Sequence, residues 1–155
     1  MTFRSDFEEA FKKTLVLSIA SYFEYLICEM ILKLIEEKTH GNQLIFHFAK
    51  NKGISRQYHT FFNWRGRNAN QFFSLFGEEF KRKCSEKINA ESELDDAVRA
   101  FLDIGETRNN LVHLNYADYQ LPKTSEEYYN LYVQAMKFIR YIEDEFNNYA
   151  CSNGT

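Results

Sequence analysis

Helix breakers are nearly absent from this chain: its 155 residues contain one proline and six glycines. Sheets need frequent tight turns, and no stretch alternates apolar with polar residues cleanly enough to form a strand. Apolar residues recur instead at spacings of three and four. The chain therefore reads as all-α, an antiparallel helical bundle of about four to five main helices.

The helices follow from periodicity and caps. Ser5 and Asp6 are placed to cap a first helix, in which Phe7, Phe11, Leu15, Ile19, Tyr22, Leu26, Met30 and Leu34 recur until Gly41 stops it. A shorter helix is expected from Gln43 to Lys50, ending at Asn51 to Gly53, with a further turn opened by Ser55. From Asn70, QFFSLFGEEFKRKCSEKI spaces Phe72, Phe73, Phe76, Phe80 and Cys84 as one helix running through Gly77. Ser92 to Asp95 reads as another start, leading to Gly105 and beyond. Thr124 with Glu127 three residues later forms a capping box ahead of a last helix through Phe146. The length suits one domain, expected over residues 1–150, with CSNGT (151–155) as a tail.

Composition excludes several classes. An apolar fraction of 45% and an aromatic share of 17% leave no room for a disordered acidic chain. Cys28, Cys84 and Cys151 are odd in number and scattered, which argues against a disulfide framework or a zinc cluster and for a reducing cytoplasm. The opening MTFRSDFEEAFKK lacks the basic-then-apolar order of a secretory signal. The run LVLSIASYFEYLICEMILKLI carries Glu24, Glu29 and Lys33, an expected bar to membrane crossing.

Chemistry concentrates in GETRNNLVHLNYADY, where RNNLVH places Arg108, Asn109, Asn110 and His113 near the end of a helix. Positions five apart on a regular helix differ by roughly 140°, so Arg108 and His113 are not expected on one face. Glu106, Asn109, Asn110 and His113 are. A histidine moves protons near neutral pH, and an arginine's fixed charge stabilises a pentavalent phosphate, so the pair suits phosphodiester chemistry. The competing account gives Arg108 a surface ion pair with Glu106 or Asp103 and leaves His113 at a helix end.

The pattern R-N-x-x-x-H at the end of this helix resembles the signature of the HEPN superfamily of helical ribonucleases. The segments SYFEYLICEMI, FFNWRGRNANQFFSLFG, FLDIGETRNNLVHLNY and KTSEEYYNLYVQAMKFI resemble successive landmarks of its RiboL-PSP subgroup across most of the chain. The resemblance implies a homodimer that brings two copies of Arg108, Asn109 and His113 to a shared cleft and cuts RNA without metal or cofactor. It also implies a role as a toxin or antiphage effector, with an antitoxin or defence-system partner. Some members carry a modifiable tyrosine two residues after the histidine; here that position is Asn115, and Tyr116 follows. Glu106, Asn110 and Tyr116 are candidate supporting residues, and Glu24 a candidate polar partner for Arg108. A rival function is a non-catalytic helical dimer binding RNA, a nucleotide or a protein.

Between Lys38 and Gly77 there is no acidic residue, although net charge is −3. Lys50, Lys52, Arg56, Arg65 and Arg67 lie there among Tyr58, His59, Phe61, Phe62 and Trp64, a mixture able to contact phosphates and stack a base. Alternatively the aromatics are core, and the arginines pair with ESELDD or EDE. His40, His47 and His59 lack neighbours at metal-ligand spacing.

Overall fold

The computed structural model describes residues 2–152. The described residues form six α-helices, five of them of seven or more residues, and no strand. These are α1 (Phe3–Lys38), α2 (Gln43–Ala49), α3 (Asn70–Ser74), α4 (Glu78–Ala90), α5 (Ser92–His113) and α6 (Ser125–Ser152). The expected all-α bundle is what the chain forms. Its centre is α1, α5 and α6, each packed on the other two, with α4 against α5. Near the start of α1, Lys12 reaches Leu121 just after α5, and farther along Phe23 stacks on Phe101 of α5 and Tyr132 of α6. Met30 and Leu34 lie by Phe146. Thus α1 and α6 run parallel to each other and antiparallel to α5.

Phe101 organises the core. Its ring, fully buried, lies 5.4 Å from Phe23, 4.8 Å from Phe62, 5.2 Å from Phe138 and 5.8 Å from Trp64. Burying each such ring stabilises the fold by roughly 1.5–3 kcal/mol, and aromatic pairs at these separations add to that. Val16, Leu111, Leu121 and Tyr128 form a smaller cluster at the end where α5 finishes.

Several local expectations need correction. The first helix starts at Phe3 with Thr2 as its cap residue, so Ser5 and Asp6 lie inside the helix rather than capping it. After α2, the chain continues through a π-helical turn, Lys50–Ile54, instead of breaking at Asn51 to Gly53. The expected continuous helix through Gly77 is two helices. Gly77 adopts φ +101 and ψ 159, a conformation essentially reserved for glycine, and α4 begins at the next residue. The bend lets Phe72, Phe76 and Phe80 curl around Phe146. The capping box forms as expected: Thr124 Oγ1 accepts from Glu127 N–H at 3.1 Å and Glu127 accepts from Thr124 N–H at 2.7 Å. The last helix runs two residues into the expected tail; residues 153–155 lie outside the described ones.

The charges of α1 do not bar it from a membrane by length and composition. It holds an 18-residue window of mean hydropathy 1.7 with at most two charged residues. Part of that apolar character is used by the bundle, through Val16, Ile19, Ala20, Phe23, Ile27 and Ile31. Yet only 28% of the window is buried.

Because no atom would crowd a Cβ at Gly77 or Gly53, the two positions separate strain from packing. In urea denaturation Gly77→Ala should cost about 1–3 kcal/mol, whereas Gly53→Ala, with no positive φ to maintain, should cause no loss.

Candidate active cleft

The last two turns of α5 form one wall of an open cleft of about 730 Å³. Buried Thr107 turns inward, donating to the Asp103 carbonyl at 2.7 Å. Glu106, Arg108, Asn109, Asn110 and His113 line the cleft. The expected divergence of Arg108 and His113 does not separate them, because the cleft is wide enough to follow the helix round to its end. Arg108 donates to Asn109 Oδ1 at 3.1 Å. Among the described residues Arg108 makes no ion pair, and Asp103, offered above as its partner, instead holds Lys123 at 3.0 Å.

The opposite wall is the segment His59 to Arg65, part of the expected mixture of cations and aromatics. It supplies His59, Asn63, Trp64 and Arg65, and Gln71 joins them. The segment is held by the Trp64 indole, which donates to the His59 carbonyl at 3.0 Å, and by Gln71, which donates to the Thr60 carbonyl at 2.7 Å. The indole presses against α5 at Gly105: a Cβ there would fall 2.1 Å from Trp64 Cε3. Gly105 thus permits the wall to seat one turn before Arg108.

Beneath Arg108 is a recess of about 20 Å³, room for a water molecule, bounded by Glu24, Tyr58, Trp64, Gly105 and Asn109. Glu24 faces it from α1 but makes no ion pair with Arg108. Burial raises the Tyr58 hydroxyl well above its ordinary range, Glu24 and Cys28 add to this, and Arg108 opposes it.

The remaining sequence candidates divide. Trp64 and Arg65 reach the cleft, but Lys50, Lys52, Arg56 and Arg67 line neither cleft nor recess. Phe61 and Phe62 are core, 5% and 2% exposed, so they are not free to stack on a base. The cations, however, do not pair with ESELDD or EDE, whose Glu93, Asp95 and Glu145 hold Lys137, Arg99 and Lys83. Tyr116 is also outside the cleft. It sits in the segment after α5, where the buried Lys13 ammonium donates to its carbonyl at 2.5 Å and lies 4.9 Å from its ring. His59, expected among residues able to contact RNA, does reach the cleft, whereas Asn63 and Gln71 were not expected there because nothing in their local sequence signals the fold that brings them opposite α5. No group of three or more His, Cys, Asp or Glu side chains gathers as a metal site among the described residues.

The chain belongs to the RiboL-PSP-HEPN family, whose model matches residues 2–148. Membership is consistent with a ribonuclease or other RNA-related function. No curated protein and no solved structure matches the chain.

The contact at Gly105 gives a test of how the cleft is built. Gly105→Ala should destabilise the protein by about 1–3 kcal/mol through overpacking. Adding Trp64→Leu should recover part of that loss, so that the two substitutions are non-additive in a denaturation cycle.

Proposed function

We propose that the protein is an endoribonuclease of the cytoplasm that cuts RNA without a metal ion. The observation that carries the reading is the gathering of Arg108, Asn109 and His113 in one cleft, with Arg65 and a second histidine, His59, on the facing wall. Two imidazoles suit a reaction that takes one proton and returns another. One of them removes the proton of the RNA 2′-hydroxyl, whose oxygen forms a bond to the adjacent phosphorus. The bond from phosphorus to the 5′-oxygen breaks, and that oxygen leaves with a proton from the other imidazole. The products are a 2′,3′-cyclic phosphate and a 5′-hydroxyl.

Arg108 stabilises the charge on the non-bridging oxygens, a role favoured by a guanidinium that makes no ion pair among the described residues. Asn109 orients it through their hydrogen bond. Glu106 and Asn110 border the strand, and Arg65 with Trp64 holds the flanking phosphate and base. A homodimer completes the site by closing the open side of the cleft with a second copy, and the biological setting is that of a toxin or antiphage effector restrained or triggered by a partner.

Labelled RNA incubated with pure protein in EDTA should be cut to ends bearing cyclic phosphate and 5′-hydroxyl. Arg108→Ala and His113→Ala should each slow cleavage by at least about 100-fold, with RNA binding retained by His113→Ala. Equal cleavage by wild type and both variants would remove the assignment. Mixing the two inactive variants should restore activity where the groups act across the dimer.

A further inference from the structure

The outer face of α1 is unusual for a helix at the surface of a bundle. Phe3, Phe7, Phe11, Tyr22 and Tyr25 are 89%, 64%, 53%, 44% and 59% exposed. At about 100° per residue, Phe7, Phe11, Tyr22 and Tyr25 fall within a sector roughly 60° wide, opposite the stripe of Val16, Phe23 and Ile27 that faces the core. A helix apolar on both sides calls for cover on both.

The order of residues along this face says what covers it. Arg4, Phe7, Phe11, Thr14, Ser18, Tyr22, Tyr25 and Glu29 are all exposed and follow one another at spacings of three and four, the seam of a helix pair. Read from either end, the seam runs charge, two aromatics, small residue, small residue, two aromatics, charge. Such a sequence complements itself when reversed. Laid antiparallel on a second α1 about a two-fold axis, Thr14 meets Ser18 of the second copy, Phe11 meets its Tyr22, and Phe7 meets its Tyr25. Arg4 then meets Glu29 of the second copy, a pairing of opposite charge at each end. The small residues allow close approach at the crossing, and Thr14 already donates its hydroxyl to the Ala10 carbonyl at 2.9 Å, so covering it strands no donor.

Area supports the same occupant. At about 200 Å² per aromatic residue, the rings from Phe7 to Tyr25 expose on the order of 400 Å² per copy, half of the roughly 800 Å² that a stable interface takes from each partner. The intervening residues and flanks provide the rest.

We propose that the outer face of α1 is a self-association surface on which a second copy of this chain docks antiparallel, with Thr14 and Ser18 at the two-fold axis. The surface points away from the bundle, uses no cleft residue and does not depend on the nuclease reading. The mixed charge of its ends, Arg4 with Glu8 and Glu29, favours a complementary helix over an anionic lipid surface.

Two measurements test it in the full chain, with circular dichroism confirming that each variant folds. Under mild oxidation, Thr14→Cys with Ser18→Cys should give a disulfide-linked dimer on a non-reducing gel, absent from wild type and lost when Phe11→Glu is added. In sedimentation, Phe11→Glu or Tyr22→Glu should halve the mass of the assembly. Arg4→Glu and Glu29→Arg should each weaken association by about tenfold, and the two together should restore it. A wild type that is monomeric at its highest soluble concentration overturns the proposal, as does an assembly indifferent to the aromatic variants. Binding of wild type to lipid vesicles, lost in Phe11→Glu without any self-association, overturns it in favour of a membrane. Arg108→Ala should cross-link like its parent, so loss of cleavage and loss of pairing are read separately.

Discussion

The indole of Trp64 pressed onto the backbone of Gly105 is the contact on which the cleft depends. An indole cannot approach a helix axis this closely over any residue with a Cβ, and the loop carrying it has no regular structure of its own beyond a short 3-10 turn, Tyr58–Thr60. The contact therefore fixes both partners: it gives the loop a seat and holds it along the turns of α5 that carry Arg108, Asn109 and His113. The aromatic neighbours Tyr58, Phe62 and Phe101 surround the indole, so the seat is part of the core. A polar site is thus built on an apolar foundation.

The charge pattern has the same origin. Several carboxylates elsewhere are engaged: Glu145, almost fully buried, holds Lys83 and Lys87, and Asp103 holds Lys123. Part of the segment without acids, from His59 to Arg65, faces the polar residues of α5. Arg65 and Arg108 share a cleft with Glu106 in a protein that is acidic overall, while Lys50, Lys52, Arg56 and Arg67 lie outside it.

Most of the fold was legible because helices declare themselves through periodicity, and the long helices here are long enough for the pattern to be unmistakable. The Thr124 box was legible because its hydrogen bonds are local. Gly77 misled because a glycine at positive φ and one inside a helix look identical in sequence, and the choice is made by Phe146, far away in the chain. The start of α1 misled because Ser5 and Asp6 are as acceptable in a first turn as at a cap. At the site, α5 supplied a contiguous motif, so Arg108, Asn109 and His113 stood out. Asn63 and Gln71 did not, since their place opposite α5 is set by tertiary packing, and His59 was expected only as a general RNA contact for the same reason. The aromatics beside them answered both readings at once: Phe61 and Phe62 are core, while the cations next to them stay unpaired.

Lys13 carries a consequence for the segment that follows His113. Its ammonium grips the main-chain carbonyls of Tyr116 and Ala117, while Lys12 holds the Leu121 carbonyl and Glu9 receives the Leu121 N–H. An anchor that recognises backbone is indifferent to what side chains the anchored residues bear. The exposed side chains of the stretch between α5 and α6, such as Ala117 and Asp118, can therefore change while the backbone stays anchored, whereas Leu121 is held by the core as well.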